Sequence, residues 1–169
     1  VYTESYDRLL LSPGATAVKP PIKGIESDGI FTLRNVYDTD RIKEYVTKHR
    51  VNRAVIVGGG FIGLEMAENL HMAGAKVSVV EMAPQVMAPI DFSMAQIVHE
   101  HLVTKGVELH LEEGVVAFES HDAEIDVVLS SQKRITADIV ILSIGVRPAT
   151  ALARDANIAL GEVGGIRVD

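Results

Sequence analysis

Residues 54–63 read Ala54-Val55-Ile56-Val57-Gly58-Gly59-Gly60-Phe61-Ile62-Gly63, and the fold turns on this stretch. Four apolar residues in unbroken succession suit a strand buried on both faces of a parallel sheet. A Gly-x-Gly-x-x-Gly turn follows at once, then a helix with Met66, Leu70 and Ala73 on one face, closed by Gly74 at C′. The glycines act sterically: Gly58 permits the tight turn, Gly60 lets a pyrophosphate approach the backbone, and Gly63 lets helix and strand pack closely. Free N–H groups and the helix dipole then favour a diphosphate. Taken alone, the spacing also suits a purely structural turn. Its context is more specific. Val77-Ser78-Val79-Val80 is a second strand, and Glu81 ends it 23 residues after Gly58. That is close to the spacing of about twenty residues expected for an acid that holds a ribose. The alternative for Glu81 is an exposed acid at a strand end.

Outward from this unit the chain alternates. Asp91 caps a helix bearing Met94, Val98, His101 and Leu102, which stops at Gly106, and Val107 to Leu111 form a third strand. Residues 115–136 change to period-two alternation, broken at Ser130-Ser131-Gln132-Lys133, the pattern of an antiparallel meander. Ile139-Val140-Ile141-Leu142 is another buried strand. Upstream, residues 5–11 read as a strand stopped by Ser12-Pro13-Gly14, and residues 16–30 as a surface connection with Pro20-Pro21, Gly24 and Gly29. Phe31-Thr32-Leu33 is a brief strand, after which Asp38 or Thr39 caps a helix with Ile42, Tyr45, Val46 and His49 on one face. The expected fold is α/β: a doubly wound (Rossmann-like) parallel sheet with a three-stranded antiparallel β-meander.

Composition bounds the function. The 169 residues are 47 % apolar and 23 % charged, near the globular average, which excludes disorder and collagen-like repeats. No apolar run reaches the roughly eighteen residues of a membrane span. A net charge of −7 disfavours a nucleic-acid partner and an anionic membrane surface. With no Cys, the chain holds no disulfide, no thiolate nucleophile and no cysteine metal site. It begins at Val1 with neither an initiator Met nor a signal peptide, the expectation being a piece of a longer, cytoplasmic protein.

Several residues carry two readings each. Glu65, in the first turn of the motif helix, suits the helix dipole without any further role. Phe61, between the second and third glycines, is either core or a flap over a ligand. Asp91 is an N-cap. His49, His71, His99, His101, His110 and His121 show no ligand-like clustering, so no metal is expected. Ligands in such sheets lie beyond the carboxyl ends of strands, which places Gly145 either beside a cofactor ring or in an ordinary loop. No Arg or Lys falls between Lys76 and Lys105 to hold a 2′-phosphate.

The run from Val55 to Leu70 resembles the NADH-domain fingerprint of the flavin-dependent pyridine nucleotide-disulfide oxidoreductases. Ser12-Pro13-Gly14-Ala15 is similar to the motif where that family's chain leaves its FAD domain, and Ile144-Gly145-Val146-Arg147-Pro148 to the return crossover. Phe31-Thr32-Leu33-Arg34-Asn35, with Asp38 and Asp40, resembles the coenzyme A-disulfide reductase, NADH oxidase and persulfide reductase branch. The resemblance implies that Gly58, Gly60 and Gly63 cradle the NADH pyrophosphate and Glu81 holds the adenosine ribose. It places Phe61 over the nicotinamide pocket, with Ile62 beside it among the cofactor-binding residues, and Gly145 beside the nicotinamide. Glu65 matches an acid near flavin and nicotinamide, which makes it the catalytic candidate.

The family's two FAD motifs, its redox Cys and its dimerisation domain have no counterpart in these residues. The implied organisation is a crossover remnant of an FAD domain at 1–36, an NADH-binding domain at 37–149 and a return crossover at 150–169. The parent would pass hydride from NADH to FAD and electrons on to a Cys and an oxidised sulfur substrate, as a homodimer. FAD would not bind to this piece alone. Two alternatives stand beside this one: the coenzyme domain of a soluble NAD-dependent dehydrogenase, and a non-enzymatic NAD(H)-sensing regulatory domain.

Overall fold

The computed structural model describes residues 2–168, which separate into two compact units. Residues 17–145 make the larger one. Its centre is a five-stranded, all-parallel sheet with strand order β2-β9-β3-β4-β5. The strands are β2 (Ile30–Thr32), β3 (Arg53–Val57), β4 (Lys76–Val80), β5 (Glu108–His110) and β9 (Ile139–Leu142). β3 lies in the middle, its Val57 level with Val80 of β4 and Leu142 of β9.

Successive side chains of β3 go to opposite faces, and both faces are covered. Ala54 and Ile56 pack with Ile42 of α1 (Val36–His49), Ala67 and Leu70 of α2 (Phe61–Met72), and Leu102 of α3 (Phe92–Thr104). Val55 and Val57 pack on the other side against Phe118, Ile125, Val127 and Leu129. Those residues belong to an antiparallel meander of β6 (Val115–His121), β7 (Glu124–Leu129) and β8 (Arg134–Ala137). The meander therefore covers the face opposite α1 and α2. Ile56 is wholly buried; truncating such a residue to Ala costs about 2–5 kcal/mol.

Asp138, between β8 and β9, ties the start of β3 to the meander. Its carboxylate accepts the Asn52 and Arg53 N–H groups, each at 2.9 Å, and the Arg53 guanidinium at 2.6 Å, which also reaches Glu124 at 2.7 Å. Burial pushes the Asp138 carboxyl up, but the Arg53 and backbone hydrogen bonds together outweigh it and hold it below its ordinary 3.8.

The smaller unit comprises residues up to 16 with those from 146. β1 (Ala15–Ala17) pairs with β10 (Val146–Pro148), the Ala149 N–H donates to the Gly14 carbonyl at 2.9 Å, and a short α4 (Ala151–Asp155) follows. Among the described residues no helix is long and apolar enough to cross a membrane.

The structure corrects several local expectations. Residues 5–11 form no strand; Leu9 and Leu10 are exposed, and a run of apolar residues without a pairing strand does not hold its backbone groups. Residues 16–30 are more than a connection, since Ile25 and Ile30 are buried and Lys23 bridges to Ala117. α1 is capped by Asn35: its side chain accepts the Asp38 N–H at 3.0 Å while Asp38 reaches back to the Asn35 N–H, a capping box. In α2 the buried residues are Gly63, Ala67 and Leu70, and Ala73 is exposed. In α3 they are Ala95 and His99, while Met94 is 55 % exposed. Each helix sets a small residue, Ala67 or Ala95, beside a larger one, Leu70 or His99, on its buried face.

Candidate nucleotide-binding site

At the carboxyl end of β3 the chain enters the glycine turn. Gly58 has φ +105°, a conformation that L side chains rarely adopt, and its N–H donates to the Val80 carbonyl at 2.8 Å. A Cβ on Gly58 would sit 2.5 Å from the Ser143 carbonyl oxygen, and one on Gly63 would sit 2.0 Å from that of Gly58. Gly58 and Gly63 are thus required by the protein's own packing. Gly60 differs, because nothing lies within 4 Å of where its Cβ would be. It is the N-cap of α2, with no side chain capping the first turn, so the start of this helix retains its capacity to bind an anion.

The turn is braced from below. The Gly59 carbonyl accepts the Met87 N–H at 2.8 Å, and Val86 is wholly buried beside Gly59. The Val86 N–H donates in turn to Nε2 of the buried His99 at 3.1 Å, which assigns that nitrogen as the unprotonated one.

Glu81 follows directly on β4. Its Oε2 accepts the Gly59 N–H at 2.7 Å and its Oε1 the Ala83 N–H at 2.8 Å. The carboxylate is therefore oriented before any ligand arrives, and each oxygen keeps a lone pair. The Glu81 N–H bonds the His110 carbonyl at 2.9 Å. The His110 imidazole is pushed below its ordinary value by burial and then by Lys133, so it is neutral at neutral pH.

A cavity of about 600 Å³ opens over this turn. Gly58, Gly60, Phe61, Glu81 and Gly145 line it together, as do Pro20, Ile22, Met82, Glu113, Val115, Ser143 and Ile144. Gly145 has φ +104° and, like Gly60, has open space where a Cβ would stand. Phe61 is 64 % exposed at the mouth. Gly63 lies beneath the turn, and neither Ile62 nor Glu65 is in the lining; Glu65 borders a separate groove between α2 and α3 that Phe61 also touches. Among the described residues the lining holds two acids and no basic side chain, so an anionic group there would rest on backbone N–H groups and the helix dipole. Glu113, Met82, Pro20, Ile22 and Val115 were not legible as site residues: Met82 follows Glu81 but belongs to no motif, and the others lie far along the chain from the glycine turn. Ser143 had one signal, its place at a strand end; its hydroxyl lies 2.9 Å from the Gly58 carbonyl and 3.0 Å from that of Val57.

A parallel sheet with a glycine turn, an acid after the second strand and an open cleft beyond the strand ends defines a dinucleotide-binding class of fold. Residues 2–169 match the pyridine nucleotide-disulphide oxidoreductase family, and the chain belongs to it. It is 34 % identical over 168 residues to the coenzyme A disulfide reductase of Staphylococcus haemolyticus, matching 99 % of this chain and 37 % of that protein. Among solved structures, reduced Bacillus anthracis CoADR-RHD superposes with a TM-score of 0.94 at 51 % identity, covering 99 % of this chain and 30 % of that one. An NAD-dependent persulfide reductase from A. fulgidus gives 0.87 at 38 % identity, over 92 % and 29 % respectively. The chain spans about a third of the length of these relatives.

Proposed function

We propose that this chain is the NADH-binding domain of an FAD-dependent disulfide or persulfide oxidoreductase. The observation that carries this reading is the cleft in which Gly60 and Gly145 leave open space beside a pre-oriented Glu81. Gly60 lets the pyrophosphate rest on the start of α2, while Gly58 and Gly63 shape the turn that presents it. Glu81 accepts the adenosine ribose hydroxyls with the lone pairs that Gly59 and Ala83 leave free. Gly145 gives the nicotinamide an unobstructed backbone wall. The exposed Phe61 ring covers that pocket until the nucleotide displaces it, and Ile62 supports the same end. Glu65, exposed one turn further along α2 and outside the cleft lining, takes its role as the acid near flavin and nicotinamide from the family resemblance.

When bound, the nucleotide supplies a hydride from its nicotinamide for transfer to FAD; the protein supplies binding and orientation. The family resemblance supports FAD, a redox Cys and a homodimer contact in the remaining two thirds of a cytoplasmic parent, and the names of the relatives support an oxidised sulfur substrate. Residues before 17 and after 145 suit chain crossing to and from that FAD domain. Calorimetric titration of the 169-residue chain tests the reading: NADH binds and FAD does not, and the chain alone consumes no NADH with a disulfide acceptor. Tighter binding of FAD than of NADH would overturn it.

A further inference from the structure

The lining of the cleft includes a second acid whose carboxylate is also held in place. Glu113 follows β5, and its N–H donates to the Glu81 carbonyl at 3.1 Å, so its loop runs beside the segment that carries the ribose acid. Its Oε2 accepts the Ser130 hydroxyl at 2.6 Å and the Ser131 N–H at 3.2 Å, both from the β7–β8 turn, and the Ser130 oxygen accepts the Gly114 N–H in return. These bonds, Ser130 first and Ser131 next, hold the carboxyl below its ordinary value. Among the described residues, both hydrogen bonds to this carboxylate fall on Oε2. The cleft that Glu113 lines is otherwise largely apolar: Met82, packed beside Gly114, with Val115, Ile22 and Pro20. A largely apolar lining that carries a fixed hydrogen-bond acceptor fits a flat heterocycle with an amine on its edge.

We infer that Glu113 is the base-reading residue of this cleft, its Oε1 accepting the exocyclic 6-amino group of adenine while Glu81 holds the attached ribose. The inference rests on the dinucleotide reading and deepens it, since it selects among dinucleotides by their base. A hypoxanthine base presents a carbonyl oxygen at the same position. It would then face a carboxylate that has no proton to give, an unpaired contact that polar sites reject.

The test uses the intact, full-length protein and the oxidised dinucleotides, so that turnover does not intervene. NAD⁺ and nicotinamide hypoxanthine dinucleotide are titrated calorimetrically against wild type, Glu113→Gln and Glu112→Gln. Wild type should favour NAD⁺ by about ten- to a hundredfold, the worth of one hydrogen bond to a charged group. Glu113→Gln keeps an acceptor for Ser130 and also offers an NH₂ group, so it should bring the two dinucleotides to within about threefold of each other. Glu112, exposed and absent from the lining, controls for general charge; Glu112→Gln should leave the wild-type preference intact. A preference that survives Glu113→Gln, or equal binding by wild type, would overturn the role of Glu113 and leave the dinucleotide reading standing. Failure of wild type to bind either compound would overturn both.

Discussion

The three glycines of the turn should separate into two kinds under substitution, because the structure gives them different surroundings. Gly60 has φ −80° and ψ −175°, backbone that any residue adopts, and open space at its Cβ position. Alanine there is a poorer N-cap than glycine by some tenths of a kcal/mol. It also restricts the unfolded chain, which returns about 0.4–1 kcal/mol. The two effects nearly cancel, so Gly60→Ala should melt within about 2 °C of wild type. The methyl group nevertheless stands where a phosphate is to rest. Displacing the ligand as an overpacked contact costs about 1–3 kcal/mol, a loss of roughly five- to 150-fold in affinity. Gly63→Ala is the opposite case. Its Cβ would lie 2.0 Å from the Gly58 carbonyl and 2.6 Å from the Ser143 hydroxyl. Backbone cannot yield as a side chain does, so α2 must move away from β3. The cost belongs at the upper end of overpacking, about 3 kcal/mol, which for a domain of this size lowers Tm by roughly 6–12 °C. Thermal melts and calorimetric NADH titrations on the same preparations decide it. An unchanged affinity in a well-folded Gly60→Ala protein would mean that nothing packs against this backbone. An unchanged Tm in Gly63→Ala would refute the close packing of helix on strand.

Two further outcomes follow from the carboxylates. Glu81→Gln, which keeps an acceptor for Gly59 or Ala83 where Ala would strand both N–H groups, should narrow the preference for NADH over NADPH. Repulsion between two unit charges about 4 Å apart is about 4 kcal/mol at an effective dielectric of about 20; salt and water reduce what a 2′-phosphate feels, leaving roughly ten- to a hundredfold. The ratio of kcat/KM for the two coenzymes in the intact enzyme reads this out, and an unchanged ratio would make Glu81 a solvated strand end. Asp138 governs acid stability: its folded pKa lies below the unfolded one, so its contribution is complete above about pH 4 and is lost as pH falls through the folded value. Asp138→Asn should therefore lower stability at pH 7, by about 2–4 kcal/mol for a largely buried carboxylate with charged and backbone partners, and the deficit should shrink as the pH falls through the folded value. Denaturant melts across an acid pH series check this; a deficit that does not change with pH would exclude the charge as the cause.

The sequence by itself determined the parts of this protein whose signals are local. Ala54 to Val57 could only be a strand buried on both faces, Gly58 to Gly63 a turn between that strand and a helix, and residues 115–136 a region of alternating burial. Each follows from properties of neighbouring residues: apolar continuity, tolerance of positive φ, or a period of two. Glu81 was legible as well, since its spacing from Gly58 is set by the length of one helix and one strand. What lies within a few ångströms but far along the chain was decided only by the tertiary structure. Whether Leu9 and Leu10 form a strand depends on a pairing partner, which local sequence cannot supply. The rotation of α3, which turns His99 inward and Met94 outward, was settled by how closely its backbone must approach its neighbours. Glu113 carried no pattern at all. It reaches the cleft because β5 is parallel to β4 and ends at the same edge, and because the meander folds back to bring Ser130 within 2.6 Å of its carboxylate. Contacts between loops at the ends of parallel strands are non-local by construction, so the ligand-facing wall of this fold is the part that the order of residues specifies least directly.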